Sequence, residues 1–275
     1  MILQALTAPP CNLMAVAEPP TQEKTATAPA SNSIGGCVTQ VSRIVVIAQR
    51  AMGAIQFLTP VMPRTAAEAG PAERLRSVPG IQRVPDSRVE LFILRGFVDE
   101  QICRVLMALI DERRRPSDIA DDIGIANYRT SETCDLDPGD SLVSAVDQKI
   151  CDLLRLPRAV GEPLQGQRYD RGQEFKLHTD TFEPGGLDYH LHCANSGQRT
   201  WTAMLYLNEP EDGGATRFKV IGKTIQPETG KLLVWNNLLP TGKPNPATLH
   251  QGMKVRSGVK YVLTKWFRER PWPGR

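Results

Sequence analysis

Tyr169-Asp170-Arg171-Gly172-Gln173-Glu174-Phe175-Lys176-Leu177-His178-Thr179-Asp180 ends on a His-x-Asp pair. Two residues that are two apart on a β-strand project to the same face, so His178 and Asp180 can chelate one ion. A distal His250 completes the set. Two histidines and one carboxylate form the facial ligand set of non-haem Fe(II), which leaves the opposite face open for substrate and O₂. Lys260 follows His250 at the start of the strand Lys-Tyr-Val-Leu-Thr-Lys-Trp-Phe, whose alternation puts Lys260, Val262, Thr264 and Trp266 on one face. A lysine pointing into a barrel is costly unless an anion meets it. A 2-oxo dicarboxylate would be such an anion; the bland reading is a lysine snorkelling to solvent. His190 and His192 keep a rival open, a three-histidine zinc site with His178. The rings otherwise belong to a strand at the mouth of a cleft.

Working outward, the chain after Pro163 reads as short strands separated by glycine turns. The candidates are 164–169, 175–178, 187–193, 200–207, 216–221, 231–235, 248–251 and 260–267, punctuated by Gly172, Gly185-Gly186, Gly213-Gly214, Gly230, Gly242 and Gly258. Before them, Val89–Leu94 reads as a strand. Asp99 N-caps a helix with Ile102, Val105, Leu106, Leu109 and Ile110 on one face, ended by Pro116. A second helix starts near Asp140, buries Val143, Val146, Ile150, Leu153 and Leu154, and stops before Pro157. Helices followed by about eight short strands predict an α+β fold, a double-stranded β-helix (jelly-roll, cupin-like barrel) with the N-terminal helices packed outside.

Residues 1–85 differ in character. They carry Pro9-Pro10, Pro19-Pro20 and Gly35-Gly36, with few large apolar residues before Ile44, and read as a low-complexity, loosely structured segment preceding a domain at 86–275. One short amphipathic helix is expected around Ile44–Leu58, and Met52 and Met62 are alternative starts. The whole chain of 275 residues is 41% hydrophobic and 23% charged, ordinary for a globular protein. A net charge of +3 with scattered basic residues excludes phosphate tracking, so no nucleic-acid partner is expected; Arg113-Arg114-Arg115 reads as a solvated helix end. The apolar stretch 44–62 is interrupted by Gln49, Arg50, Gln56 and Pro60, too polar for a membrane span. The N-terminus lacks the layout of a secretory leader. The 6 cysteines have no C-x-x-C spacing. Free thiols and a cytoplasmic location are therefore expected, with Cys103 and Cys151 as small buried hydrophobes on the two helices.

From Leu91 to Trp266 the chain resembles the catalytic domain of the prolyl 4-hydroxylase family, Fe(II)- and 2-oxoglutarate-dependent dioxygenases. The likeness rests on Arg129-Thr130-Ser131, the quoted run 169–180, Gln198-Arg199-Thr200-Trp201-Thr202 and Tyr206-Leu207-Asn208. It continues through Gly213-Gly214-Ala215-Thr216-Arg217-Phe218, Pro227-Glu228-Thr229-Gly230, Trp235-Asn236, His250, Gly258-Val259-Lys260 and Lys265-Trp266. The resemblance implies that His178, Asp180 and His250 bind iron. It implies that Lys260 pairs with the distal carboxylate of 2-oxoglutarate, with Tyr169 and Thr202 hydrogen-bonding beside it, and that Arg129, Ser131, Arg199 and Trp266 face the substrate. O₂ would be the second co-substrate and ascorbate an accessory reductant. The implied reaction hydroxylates an unactivated C–H bond, foremost of peptidyl proline, releasing succinate and CO₂. A free amino acid or other small molecule is the alternative substrate. A non-catalytic metal-binding barrel is the alternative of another class. A homodimer is compatible with the resemblance. The chain departs from the family at Glu132-Thr133, Phe175 and Lys219, in or near substrate-facing segments.

Overall fold

The computed structural model describes residues 70–117 and 128–273. The helix expected around Ile44–Leu58 lies outside them, as do most of the residues of the segment 1–85.

In chain order, helix α1 (Pro71–Arg76) precedes strands β1 (Gln82–Arg83) and β2 (Leu91–Leu94), helix α2 (Glu100–Arg113), β3 (Arg115–Pro116), β4 (Glu132–Asp135) and helix α3 (Ser141–Leu154). Then come β5 (Gln165–Tyr169), β6 (Phe175–His178), helix α4 (Leu187–Cys193), β7 (Arg199–Tyr206), β8 (Asp212–Gly213), β9 (Thr216–Phe218) and β10 (Lys223–Ile225). The chain closes with β11 (Leu232–Asn236), β12 (His250–Gly252), β13 (Val255–Ser257) and β14 (Lys260–Arg268). An eight-stranded sheet runs β1-β2-β11-β7-β14-β5-β4-β3 and faces a four-stranded sheet, β10-β9-β12-β6. Every pairing is antiparallel. This is the expected jelly roll.

Alternation along the strands divides the core in two. Trp201, Ala203, Leu205, Leu232, Val234, Leu263 and Phe267 point outward and pack with Leu106, Ile110, Val143, Val146, Ile150 and Leu154 of α2 and α3. Met204, Tyr206, Leu233, Trp235 and Val262 point inward to Phe218 of the smaller sheet. Asp99 caps α2 by accepting from the amide of Ile102 (2.8 Å), and Asp140 caps α3 by accepting from Leu142 and Val143. A buried ion pair, Lys265 with Asp147 (2.5 Å), locks α3 onto β14, and Arg158 meets the other carboxylate oxygen at 2.6 Å. Cys103, Cys134, Cys151 and Cys193 are buried free thiols, and no helix among the described residues is long and apolar enough to cross a membrane.

Several readings change. The folded region starts well before residue 86: Leu75 of α1 is fully buried in the outer core, and Gln82–Arg83 pair with β2. A proline-containing stretch joins the core through Leu75 and Val84, with Ala72 and Ile81 packed beside the outer cluster. Val105 lies at the edge of the apolar face of α2 and is exposed, and only Arg113 of the arginine triplet ends that helix. Arg114 and Arg115 turn away to pair with Glu132 and Asp135. The stretch 187–193 is helical, with the acidic Asp188 in its first turn, where it suits the helix dipole, and His190 and His192 in its last. Gly222, at φ 64°, folds the expected strand 216–221 into the β9–β10 hairpin.

Gly166 of β5 lies where α2 packs tightly on the sheet. A Cβ there would stand 2.4 Å from Cγ1 of Ile110. Gly166→Ala is expected to destabilise the fold by about 1–3 kcal/mol through overpacking. Thermal unfolding checks this, and an unchanged midpoint would show that α2 gives way freely.

Candidate active site

The ends of two neighbouring strands build the centre. His178 closes β6 and His250 opens β12, and the two stand directly opposite in the ladder with ring centroids 4.3 Å apart. Asp180 does not extend the strand, as the period-two reading expected. The backbone leaves β6 at Thr179 and bends, which brings the carboxylate round to the histidines, with Oδ1 3.9 Å from Nε2 of His178. One donor atom from each of His178, Asp180 and His250 lies within 4.8 Å of the others, the only such His/Cys/Asp/Glu grouping among the described residues. The three-histidine alternative does not form. On α4, residues two apart point to opposite sides, and His192 stacks on Phe182 (4.9 Å).

Each donor is aimed by a second bond. Nδ1 of His178 meets the carbonyl of Lys176 (2.7 Å), and Nδ1 of His250 meets that of Thr248 (2.9 Å). A carbonyl only accepts, so Nδ1 donates in both rings and Nε2 is left as the ring atom free to ligate. Burial, reinforced by the nearby His250, lowers the pKa of His178 to about 3 and keeps it neutral, the form that ligates metal. Burial alone would push the Asp180 carboxyl up, but His250, His178, Arg199 and the Thr202 hydrogen bond outweigh it and hold the pKa below the usual range. Phe175 stacks on His178 at 3.6 Å, while Phe218 and Trp235 enclose His250. The ligands thus sit in an apolar collar that limits water on their far side.

An inner cavity leads from this centre to Lys260, and all four residues of its predicted face, Lys260, Val262, Thr264 and Trp266, line it. Lys260 is 2% exposed. Its ammonium lies 5.0 Å from the Tyr169 ring and 5.5 Å from that of Tyr206, and no carboxylate of the described residues pairs with it. Burial lowers its pKa to about 7. An ammonium stripped of water without a counter-charge is a vacancy for an anion. The donor set and this lysine together fit Fe(II) and an anionic co-substrate. Tyr169 lies directly across the ladder from Lys260, as expected. Thr202 departs from expectation: it does not line this cavity but sits behind Asp180, donating to Oδ2 at 2.6 Å. The hydroxyl-bearing residues that do line it are Tyr169, Thr264 and Thr216, the last accepting from Tyr206 (2.6 Å). Position 216 lay in the quoted Gly-Gly-Ala-Thr-Arg-Phe run, but nothing in the spacing distinguished its hydroxyl from that of Thr202.

Outside the triad lies a cleft of about 420 Å³ lined by Arg129, Arg199 and Trp266, three of the four expected substrate residues. Ser131 is the exception. It is buried and bonds Nε of Arg129 (3.1 Å), so it supports that guanidinium from behind. Arg199 is clamped by both oxygens of Glu162 (2.7 and 2.9 Å) and lies 4.0 Å over the Trp266 ring. Glu162 also binds Arg268 at 2.6 Å. Glu162, Arg268, Tyr128, Phe182 and Trp272 belong to this wall and carried no motif that would have found them.

The sequence profile of the 2OG-Fe(II) oxygenase superfamily matches residues 164–268. Prolyl 4-hydroxylase 2 of Arabidopsis thaliana is 30% identical over 206 residues, covering 66% of this chain and 67% of its own length. Prolyl 4-hydroxylase subunit alpha-2 of Caenorhabditis elegans is 34% identical over 149 residues, 53% of this chain and 27% of that one. The crystal structure of a viral collagen prolyl hydroxylase from Paramecium Bursaria Chlorella virus-1, in its 2OG complex, superposes with a TM-score of 0.53 at 26% identity, over 65% of this chain and 95% of that one. The superfamily match spans the stretch that carries the His-x-Asp pair and His250, and the superfamily implies Fe(II), 2-oxoglutarate and O₂. The chain belongs to the prolyl 4-hydroxylase family of 2OG-Fe(II) oxygenases.

Proposed function

We propose that this enzyme hydroxylates prolyl residues within a polypeptide. The observation that carries the reading is the placement of Lys260: a buried ammonium with no carboxylate partner among the described residues, in one cavity with the His178–Asp180–His250 donors, while an open cleft meets His178 and Asp180. His178 and His250 would hold Fe(II) through Nε2, and Asp180 through Oδ1. Lys260 would bind the distal carboxylate of 2-oxoglutarate, with Tyr169 and Thr216 beside it. Iron held there with 2-oxoglutarate supplies the oxidative chemistry that puts one atom of O₂ into a C–H bond and the other into succinate, with loss of CO₂. The chain itself orients and shields. Phe175 and Trp235 keep water from the imidazoles, and Arg199 and Trp266 present a flat, charged wall to the incoming chain. A polypeptide is favoured over a small molecule because the cleft is broad and open at its rim, where the Arg115–Asp135 pair is half-exposed.

The direct test incubates the protein with Fe(II), 2-oxoglutarate, O₂ and a proline-rich peptide, measuring succinate and peptide mass. Peptide-stimulated succinate with one added oxygen per proline is expected. Succinate stimulated by free amino acids and not by peptides would move the substrate to small molecules.

Lys260 also sets a pH dependence. In the free site its pKa is about 7, and a carboxylate needs the charged form. Below pH 7 the ammonium is already present and 2-oxoglutarate binds at full strength. Above pH 7 binding must take up a proton, so the dissociation constant should rise about tenfold per pH unit until the raised pKa of the complex is reached. Anaerobic titrations from pH 6 to 9 check this; Lys260→Arg should flatten the profile.

A further inference from the structure

Thr202 has one proton and two lone pairs to place, and its surroundings leave a single arrangement. The hydroxyl of Thr202 donates its proton to Oδ2 of Asp180 (2.6 Å). The hydroxyl must then accept from Asn237, whose Nδ2 stands 2.8 Å away. Asn237 is completely buried. Its backbone is satisfied as any residue's would be, by the carbonyl of Thr200 and the amide of Asn245. Its side chain has Thr202 as hydrogen-bond partner, while Oδ1 is buried with none among the described residues. A buried carboxamide with an orphaned carbonyl is a poor choice for stability alone, and such a group calls for a reason.

We propose that Asn237 is a positioning residue for the metal carboxylate: by donating to Thr202 it fixes the direction of that hydroxyl, which ties down Oδ2 of Asp180 and leaves Oδ1 alone to face the metal. This rests on the triad reading above. A carboxylate released from the tie could turn and bind through both oxygens, taking a coordination position that an oxygenase must keep open for its co-substrates. The relay runs from the residue after β11 through the interior of β7 to the bend after β6. Its two upstream members, Asn237 and Thr202, do not line the substrate cleft; Asp180 alone meets it.

The test uses the full chain with Co(II), whose visible spectrum reports coordination number, and equilibrium dialysis for affinity. Asn237→Leu is close in shape and removes the donor along with the orphaned carbonyl. It should keep the thermal midpoint, weaken Co(II) binding about 10–100-fold as loss of an outer-shell partner does, and change the Co(II) bands. Thr202→Val should do the same, Thr202→Ser should restore the wild-type spectrum, and Asn237→Leu should add nothing in the Thr202→Val background. Unchanged affinity and bands in Asn237→Leu, or effects of the two substitutions that simply add, would overturn the relay. His178→Ala separates the two levels. If it abolishes Co(II) binding while Asn237→Leu is silent, the relay alone is wrong; if it leaves Co(II) binding intact, the triad assignment falls with it.

Discussion

Asp180→Ala is expected to lower turnover at least roughly 10³-fold, well beyond the 10–100-fold typical of losing an outer-shell partner. The bend after β6 delivers this carboxylate to two imidazoles already faced toward each other by the β6–β12 ladder. Without it, two neutral nitrogens remain and the anionic donor of the set is gone. Folding should survive. The substitution removes a buried charge and orphans one hydroxyl, that of Thr202, at a cost of about 1–3 kcal/mol. Steady-state succinate production, set beside thermal unfolding, separates the two effects. Turnover within tenfold of wild type would remove Asp180 from the centre.

The second large effect has opposite signs for function and stability. Lys260→Met keeps the length of the side chain and deletes its charge. Truncating one partner of a buried pair costs about 3–5 kcal/mol, so the dissociation constant of 2-oxoglutarate should rise about 10²–10⁴-fold. The ligand-free protein should gain stability, because the ammonium is buried against Tyr169 and Tyr206 with no carboxylate partner. Replacing buried charge by apolar volume stabilises by about 1–4 kcal/mol. Calorimetric unfolding without ligand and a 2-oxoglutarate titration check the two halves. A variant that is both less stable and undiminished in 2-oxoglutarate binding would show that Lys260 is an ordinary structural lysine.

The parts of this site that were legible in the sequence are those governed by short-range rules. The two-residue period of β14 placed Lys260, Val262, Thr264 and Trp266 on one wall, and all four line the inner cavity. The 3.6-residue stripe and the acidic caps located α2 and α3 almost to the residue. His178 and His250 were paired from their chemistry, and the antiparallel ladder brings them face to face. Where reading failed, the deciding contact was long-range or the local signal ambiguous. Leu187–Cys193 alternates like a strand, yet it forms an isolated helix that leaves Leu187 and Leu191 exposed. Seven residues with no buried stripe give periodicity nothing to act on. Thr202 and Thr216 are both threonines on inward faces, and only the three-dimensional position of Asp180 tells which one serves the carboxylate. Glu162, which clamps Arg199 and Arg268, precedes a proline in a segment with no motif, and its role comes entirely from the closure of β14 on β7.

The measurement that bears most directly on the account is an anaerobic titration of the full chain with Fe(II) and 2-oxoglutarate, followed by the weak visible charge-transfer absorption of the two bound together. One equivalent of each should saturate the band in the wild-type protein. Asp180→Ala should show none, and Lys260→Met should show it only at far higher 2-oxoglutarate. A folded wild-type protein without the band, or an equal band in Asp180→Ala, would contradict the assignment of iron to His178, Asp180 and His250.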